Sequence, residues 1–163
     1  MLPRVEKENY YLDIAQTVAE RSTCMRRHFG AIIVANDNII ATGYNGAPRG
    51  RKNCSDIAYC IRDELKIPRG ERYEMCRSIH AEMNAIIAAS RDQMIGATLY
   101  MACTSPKDGS LFSGTNSCMM CKRAIINAGI QTVVVRDTPT EYRVISVEDW
   151  VNNDDSLSGI FGY

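Results

Sequence analysis

A chain of 163 residues, 45% hydrophobic and 23% charged, is globular in composition and long enough for one domain, so residues 1–163 are read as a single domain. Its 19 Lys plus Arg balance its 19 Asp plus Glu, which argues against a footprint for long nucleic acid but not against a local arginine cluster for a small anion. No apolar run nears the ~20 residues of a membrane span and the N-terminus lacks a signal-peptide core; the expected setting is the cytoplasm, where seven cysteines favour metal ligation or catalysis over disulfides.

Leu12, Ala15, Val18 and Ala19 recur at helical spacing, which predicts an amphipathic helix over residues 7–21. Two β-branched apolar runs, residues 30–35 and 39–44, flank Asn36-Asp37-Asn38 and predict a β-hairpin. Residues 45–78 are turn-rich and polar, with one short helix expected over residues 57–65. So long an irregular stretch in a compact domain is usually functional or pinned by something. A buried helix is expected over residues 81–90, a strand over 97–102 and a polar loop over 107–116. A helix over residues 122–128 closed by Gly129, a strand over 131–135 and a short helix over 147–151 follow, before an acidic, glycine-containing tail. This order points to a three-layer α/β sandwich with a mixed sheet.

His80-Ala81-Glu82 stands at the start of one predicted helix, and Cys118-Met119-Met120-Cys121 at the start of the next. Alone, each fragment has an ordinary explanation: a capping or core histidine, and a structural or redox cysteine pair. Together they offer one nitrogen and two sulfurs at helix N-termini, where unpaired amides and the helix dipole favour thiolates. Three such ligands leave the fourth tetrahedral position of a zinc ion open to water, the mark of a catalytic site. Glu82 need not ligate the metal and can act as the proton carrier.

The stretches Gly43-Tyr44-Asn45-Gly46-Ala47-Pro48, Cys54-Ser55-Asp56, His80-Ala81-Glu82-Met83-Asn84-Ala85-Ile86, Cys118 to Cys121 and Ile125-Ile126-Asn127-Ala128-Gly129-Ile130 form a set. The set resembles the deoxycytidylate (dCMP) deaminase branch of the zinc-dependent cytidine deaminase superfamily, over roughly residues 11–135. The resemblance implies an α/β/α sandwich around a mixed five-stranded sheet and hydrolytic loss of ammonia from a cytosine ring, most simply dCMP to dUMP. It also implies a catalytic Zn2+ on His80, Cys118 and Cys121, Glu82 as the catalytic residue, and a homo-oligomer, commonly a hexamer. Two features depart from the pattern. Ser117 stands where the family usually has proline, and residues 107–117 form an insertion beside the expected active-site mouth.

The resemblance further implies a second, structural zinc with cysteines at the places of Cys24 and Cys54, for which Cys60 and Cys76 are available as further ligands. The other reading of these four is scattered core cysteines, and Cys103 is most simply a small buried residue. Asn45 corresponds to a family residue near the sugar and base, its plain alternative being a turn asparagine. Family members are often activated by dCTP and inhibited by dTTP, which places an effector site at the turn containing Tyr44 and Gly46 and at Arg91. Phosphate candidates are Arg26, Arg27, Arg49, Arg51, Arg72 and Arg77, since arginine supplies bidentate contacts. Rival readings are deamination of another base or nucleoside (cytosine, deoxycytidine, guanine) and, in a different class, a non-catalytic zinc-stabilised binding module. Glu82 speaks against the last, because a structural site has no use for a carboxylate beside an open metal position.

Overall fold

The computed structural model describes residues 1–153, and the acidic tail lies outside them. Five strands form one sheet: β1 (His28–Ala35), β2 (Asn38–Tyr44), β3 (Thr98–Thr104), β4 (Thr132–Arg136) and β5 (Tyr142–Ser146). Their spatial order is β2-β1-β3-β4-β5; β3 and β4 run parallel and every other pair is antiparallel.

Because successive side chains on a strand point to opposite faces, each strand feeds two cores. Ile32, Val34, Tyr100, Ala102 and Val134 pack with Tyr11, Leu12 and Ala15 of helix α1 (Lys7–Ala19) on one face. Ala31, Ile33, Leu99, Met101, Val133 and Val135 pack on the other against Ala81 and Ala85 of a helix over Ala81–Ile87, and Ile125 and Ala128 of one over Met119–Ala128. The molecule is thus the three-layer sandwich with a mixed sheet that the pattern predicts. Arg136 ties the first layer down: 2% exposed, its guanidinium donates to Asp13 Oδ1 at 2.7 Å and Gln16 Oε1 at 3.0 Å across α1.

The hairpin turns on Asn36 and Asp37, both at positive φ (50° and 62°), the conformation of a two-residue type I′ loop that these residue types tolerate. The single helix expected over residues 57–65 is in fact two, α2 (Cys54–Ile57) and α3 (Ile61–Glu64). Ala58 adopts a left-handed conformation (φ 48°) and ends the first, while the Asp56 carboxylate accepts the Asn53 N–H at 3.0 Å and fixes its start. A 3₁₀ turn over Tyr73–Met75 precedes α4 (Ala81–Ile87), which is shorter than expected; Ile87 beyond its buried face is 72% exposed. Then follow α5 (Arg91–Met94), α6 (Met119–Ala128), capped by Gly129 in the left-handed region (φ 84°), and α7 (Val147–Asn153). No helix among the described residues is long and apolar enough to cross a membrane.

Two strand glycines set the layer spacing. A Cβ on Gly30 would lie 2.0 Å from Ala15 O, and one on Gly43 would lie 2.3 Å from Ala81 O and 2.4 Å from Ala85 N. Gly43 therefore lets α4, which carries the candidate ligand and carboxylate, rest directly on β2. Gly43→Ala is expected to destabilise the fold by about 1–3 kcal/mol, the usual cost of overpacking against backbone. An unchanged denaturation midpoint would show instead that α4 has room to retreat.

Candidate metal centre and active site

Two helix starts meet at this site. His80 is the N-cap of α4 and Cys118 the N-cap of α6; Cys121 sits one turn into α6, on the same face as Cys118. His80 Nδ1 lies 3.4 Å from Cys118 Sγ and 3.5 Å from Cys121 Sγ. A tetrahedral zinc with ordinary Zn–N and Zn–S bonds places nitrogen and sulfur about 3.5 Å apart, so the donor set fits the ion in chemistry and spacing. Among the described residues this is the only group whose three ligand atoms all lie within 4.8 Å of one another.

The electrostatics suit metal uptake. The Cys121 thiol hydrogen-bonds the Cys118 sulfur and, with His80 beside it, lowers the Cys118 pKa and favours its thiolate. The same contact, reinforced by burial, keeps the proton on Cys121. For His80, burial opposes the charged form, but the Cys118 hydrogen bond and the nearby Glu82 outweigh it and raise its pKa. Glu82 is only 4% exposed, and burial pushes its carboxyl above the ordinary range. Ser117, also buried, donates its N–H to Asn116 Oδ1 at 2.8 Å just before the first cysteine.

His80, Glu82 and Cys118 open onto a cavity of 280 Å3, at the small end of ligand pockets. Of the phosphate candidates, Arg26, Arg27 and Arg77 line it, whereas Arg51 lines an adjoining hollow that shares Cys54, Cys76 and Arg77 with the cavity. Arg62, Arg69, Tyr73 and Asn116 also line the cavity, and no spacing pattern in the sequence singles them out. The inserted loop reaches the mouth as expected: Leu111 bridges to Thr104, and Phe112 lies under the Arg27 guanidinium, 4.2 Å from ring centre.

Asn45 lines the same cavity, but its amide is already engaged. Its Oδ1 accepts from Phe29 N–H at 2.8 Å and from Ser22 Oγ at 2.5 Å, and its Nδ2 donates to Arg27 O at 2.9 Å. Those contacts make Asn45 a brace for the segment that carries Arg27. Cys24, Cys54, Cys60 and Cys76 all face the cavity, yet among the described residues no three of their sulfurs gather within 4.8 Å. Cys103 is buried in β3, and burial pushes its thiol up to about 12.

The turn expected to bind effectors is held from both sides. Gly46 and Ile79 exchange backbone hydrogen bonds at 3.2 and 2.8 Å, and Asn84 Nδ2 donates to Tyr44 O at 2.8 Å. Arg91 begins α5, and its Nε donates to Asn127 O at 3.0 Å.

A family model for the cytidine and deoxycytidylate deaminase zinc-binding region matches residues 5–137. The chain is 33% identical over 127 residues to a deoxycytidylate deaminase of Schizosaccharomyces pombe, covering 78% of this chain but 36% of that relative. It thus spans about a third of the yeast protein's length. Against a deoxycytidylate deaminase of Mycobacterium phage D29 it is 33% identical over 137 residues, covering 82% of this chain and 96% of the relative. Among solved structures it is similar to the dCMP deaminase of cyanophage S-TIM5 in complex with dCMP and dUMP, with a TM-score of 0.57 and 25% identity over 94% of this chain and 95% of that one.

Proposed function

The chain belongs to the cytidine and deoxycytidylate deaminase family, and we propose that it hydrolytically deaminates a cytosine nucleotide, converting dCMP and water to dUMP and ammonia. The observation that carries this reading is the gathering of His80 Nδ1, Cys118 Sγ and Cys121 Sγ beside the buried Glu82 in one cavity. His80, Cys118 and Cys121 would hold the zinc, which when bound supplies a Lewis acid that makes water acidic near pH 7.

The chain's own residues move the protons. Glu82 accepts one proton from water and delivers it to the pyrimidine ring nitrogen as a C4–O bond forms; it then accepts the remaining hydroxyl proton and passes it to the exocyclic amine as the C4–N bond breaks, leaving a C4 carbonyl, ammonia and an unchanged carboxylate. The raised affinity of the buried carboxyl for a proton suits a group that must hold one in mid-reaction. Arg26, Arg27, Arg69 and Arg77 surround the same cavity and favour a phosphorylated substrate over a free base.

Ammonia release measured over cytosine, cytidine, deoxycytidine, dCMP and guanine tests the substrate. dCMP is expected to exceed deoxycytidine by at least tenfold in kcat/KM, about 1.4 kcal/mol of phosphate recognition. Equal rates for the two would reject the nucleotide assignment, and release from guanine alone would reject the cytosine one.

By the same family reading, the turn with Tyr44 and Gly46, together with Arg91, takes dCTP or dTTP in a homo-oligomer, a hexamer being the expected assembly. Kinetics hyperbolic in substrate and indifferent to both triphosphates would remove that site. A second, structural zinc on Cys24, Cys54, Cys60 and Cys76 completes the proposal.

A further inference from the structure

The irregular segment between α2 and α4 contains a buried cation. Arg62 is only 2% exposed, and its guanidinium is surrounded by main chain: Nη1 donates to Glu71 O and, at 3.0 Å, to Arg72 O, while Nη2 donates to Pro68 O at 2.8 Å. A guanidinium presents several donors in a rigid plane, so one side chain can fix three carbonyls of an excursion that lacks secondary structure. The face of the same guanidinium lies over the Tyr73 ring, 4.4 Å from its centre. The Tyr73 hydroxyl in turn accepts the Gly70 N–H at 3.2 Å.

Tyr73 then meets the metal centre. Its ring packs edge-on against the His80 imidazole, with centroids 4.8 Å apart and planes at 80°. Aromatic pairs in this arrangement resist rotation of either ring. Cys121 is carried within α6, but His80, like Cys118, is an N-cap, and its large ring can swing about its own side-chain bonds unless something stops it.

We infer that Arg62 and Tyr73 are positioning residues for the metal ligand: Arg62 locks the 62–73 segment, and Tyr73 holds the His80 ring with Nδ1 toward the two sulfurs. This rests on the zinc-deaminase reading above. Groups that orient a ligand without touching the metal commonly change metal affinity by about 10–100-fold when removed.

The chain has only two histidines, His28 and His80, so the ring signals of 15N-histidine-labelled protein are few enough to follow, with His28 as internal reference. In zinc-loaded protein, Tyr73→Ala is expected to move or split the His80 signals and to speed zinc loss to a chelator about tenfold or more. Tyr73→Phe keeps the ring and should match wild type within about twofold, a rescue that a merely structural hydroxyl would not give. Arg62→Met is expected to behave like Tyr73→Ala. Should Tyr73→Ala not fold, as judged by circular dichroism, Tyr73→Leu carries the same expectations.

His80 signals and chelation rates in the Ala or Leu variant equal to wild type would overturn the inference, as would a Phe variant as impaired as the Ala variant. If the wild-type His80 signals do not respond to zinc at all, the zinc-deaminase reading fails with it. A responsive wild type with an unaffected ring-deletion variant defeats this inference alone.

Discussion

Glu82→Gln is expected to keep its zinc and fold while losing turnover by roughly 10²–10⁴-fold, the range that positioned proton transfer contributes. Gln fills nearly the same volume and retains one carbonyl oxygen, so the change isolates the proton. Glu82 lies at the second position of α4, buried to 4% exposure, where an uncompensated carboxylate is unfavourable. Its pKa is raised, chiefly by burial. A carboxyl whose folded pKa exceeds its unfolded value stabilises the fold at pH below the unfolded value, and that contribution is lost as pH rises through the folded pKa. The raised pKa makes Glu82 less favourable to the metal-free fold as pH rises, and Glu82→Gln should melt no lower than wild type at neutral pH, with the difference closing in acid. Normal ammonia release by the variant would remove Glu82 from its role, and loss of zinc along with activity would make it a ligand instead.

The metal centre was legible from the residues because its parts are local: His80 with Glu82 on one helix start, Cys118 with Cys121 on another, each recognisable by spacing before any fold is known. The hairpin was equally plain, since two β-branched runs around Asn36 and Asp37 state both strands and turn. Other elements carry no such signature. β5 is a five-residue edge strand with Val144 62% exposed, and nothing but its pairing with β4 distinguishes it from a loop. The break at Ala58 depends on a left-handed alanine, which composition does not announce. Arg62 reads as a surface charge on a short helix, and its burial follows only from where the chain at Pro68, Glu71 and Arg72 turns back. Such partners are backbone atoms, for which residue type says little. The same limit applies to the phosphate side of the cavity, where Arg69 joins Arg26, Arg27 and Arg77 through the path of the loop rather than through any spacing.

Cys118→Ala is expected to abolish activity and to remove one zinc ion per chain, counted by atomic emission, leaving the proposed structural ion in place. The first ion depends on thiolates: the contact between the two sulfurs lowers the pKa of Cys118 and raises that of Cys121, and uptake releases protons from the pair. Binding should therefore weaken as pH falls, because protons compete with the metal for these sulfurs. The proposed second ion would make a different demand. Four sulfurs around a tetrahedral zinc lie about 3.8 Å apart, whereas no three of Cys24, Cys54, Cys60 and Cys76 lie within 4.8 Å of one another. Loading the proposed site would draw the cavity wall together and add to the order that Arg62 already gives the segment between Asn45 and Ser78. Chelation of wild-type protein should then lower the melting temperature more than Cys118→Ala does, and Cys54→Ala should lose the other zinc with a stability loss out of proportion to one small buried thiol. A wild-type count of one zinc per chain rejects the second site, and a Cys118→Ala protein that still carries both ions rejects the ligand assignment of the first.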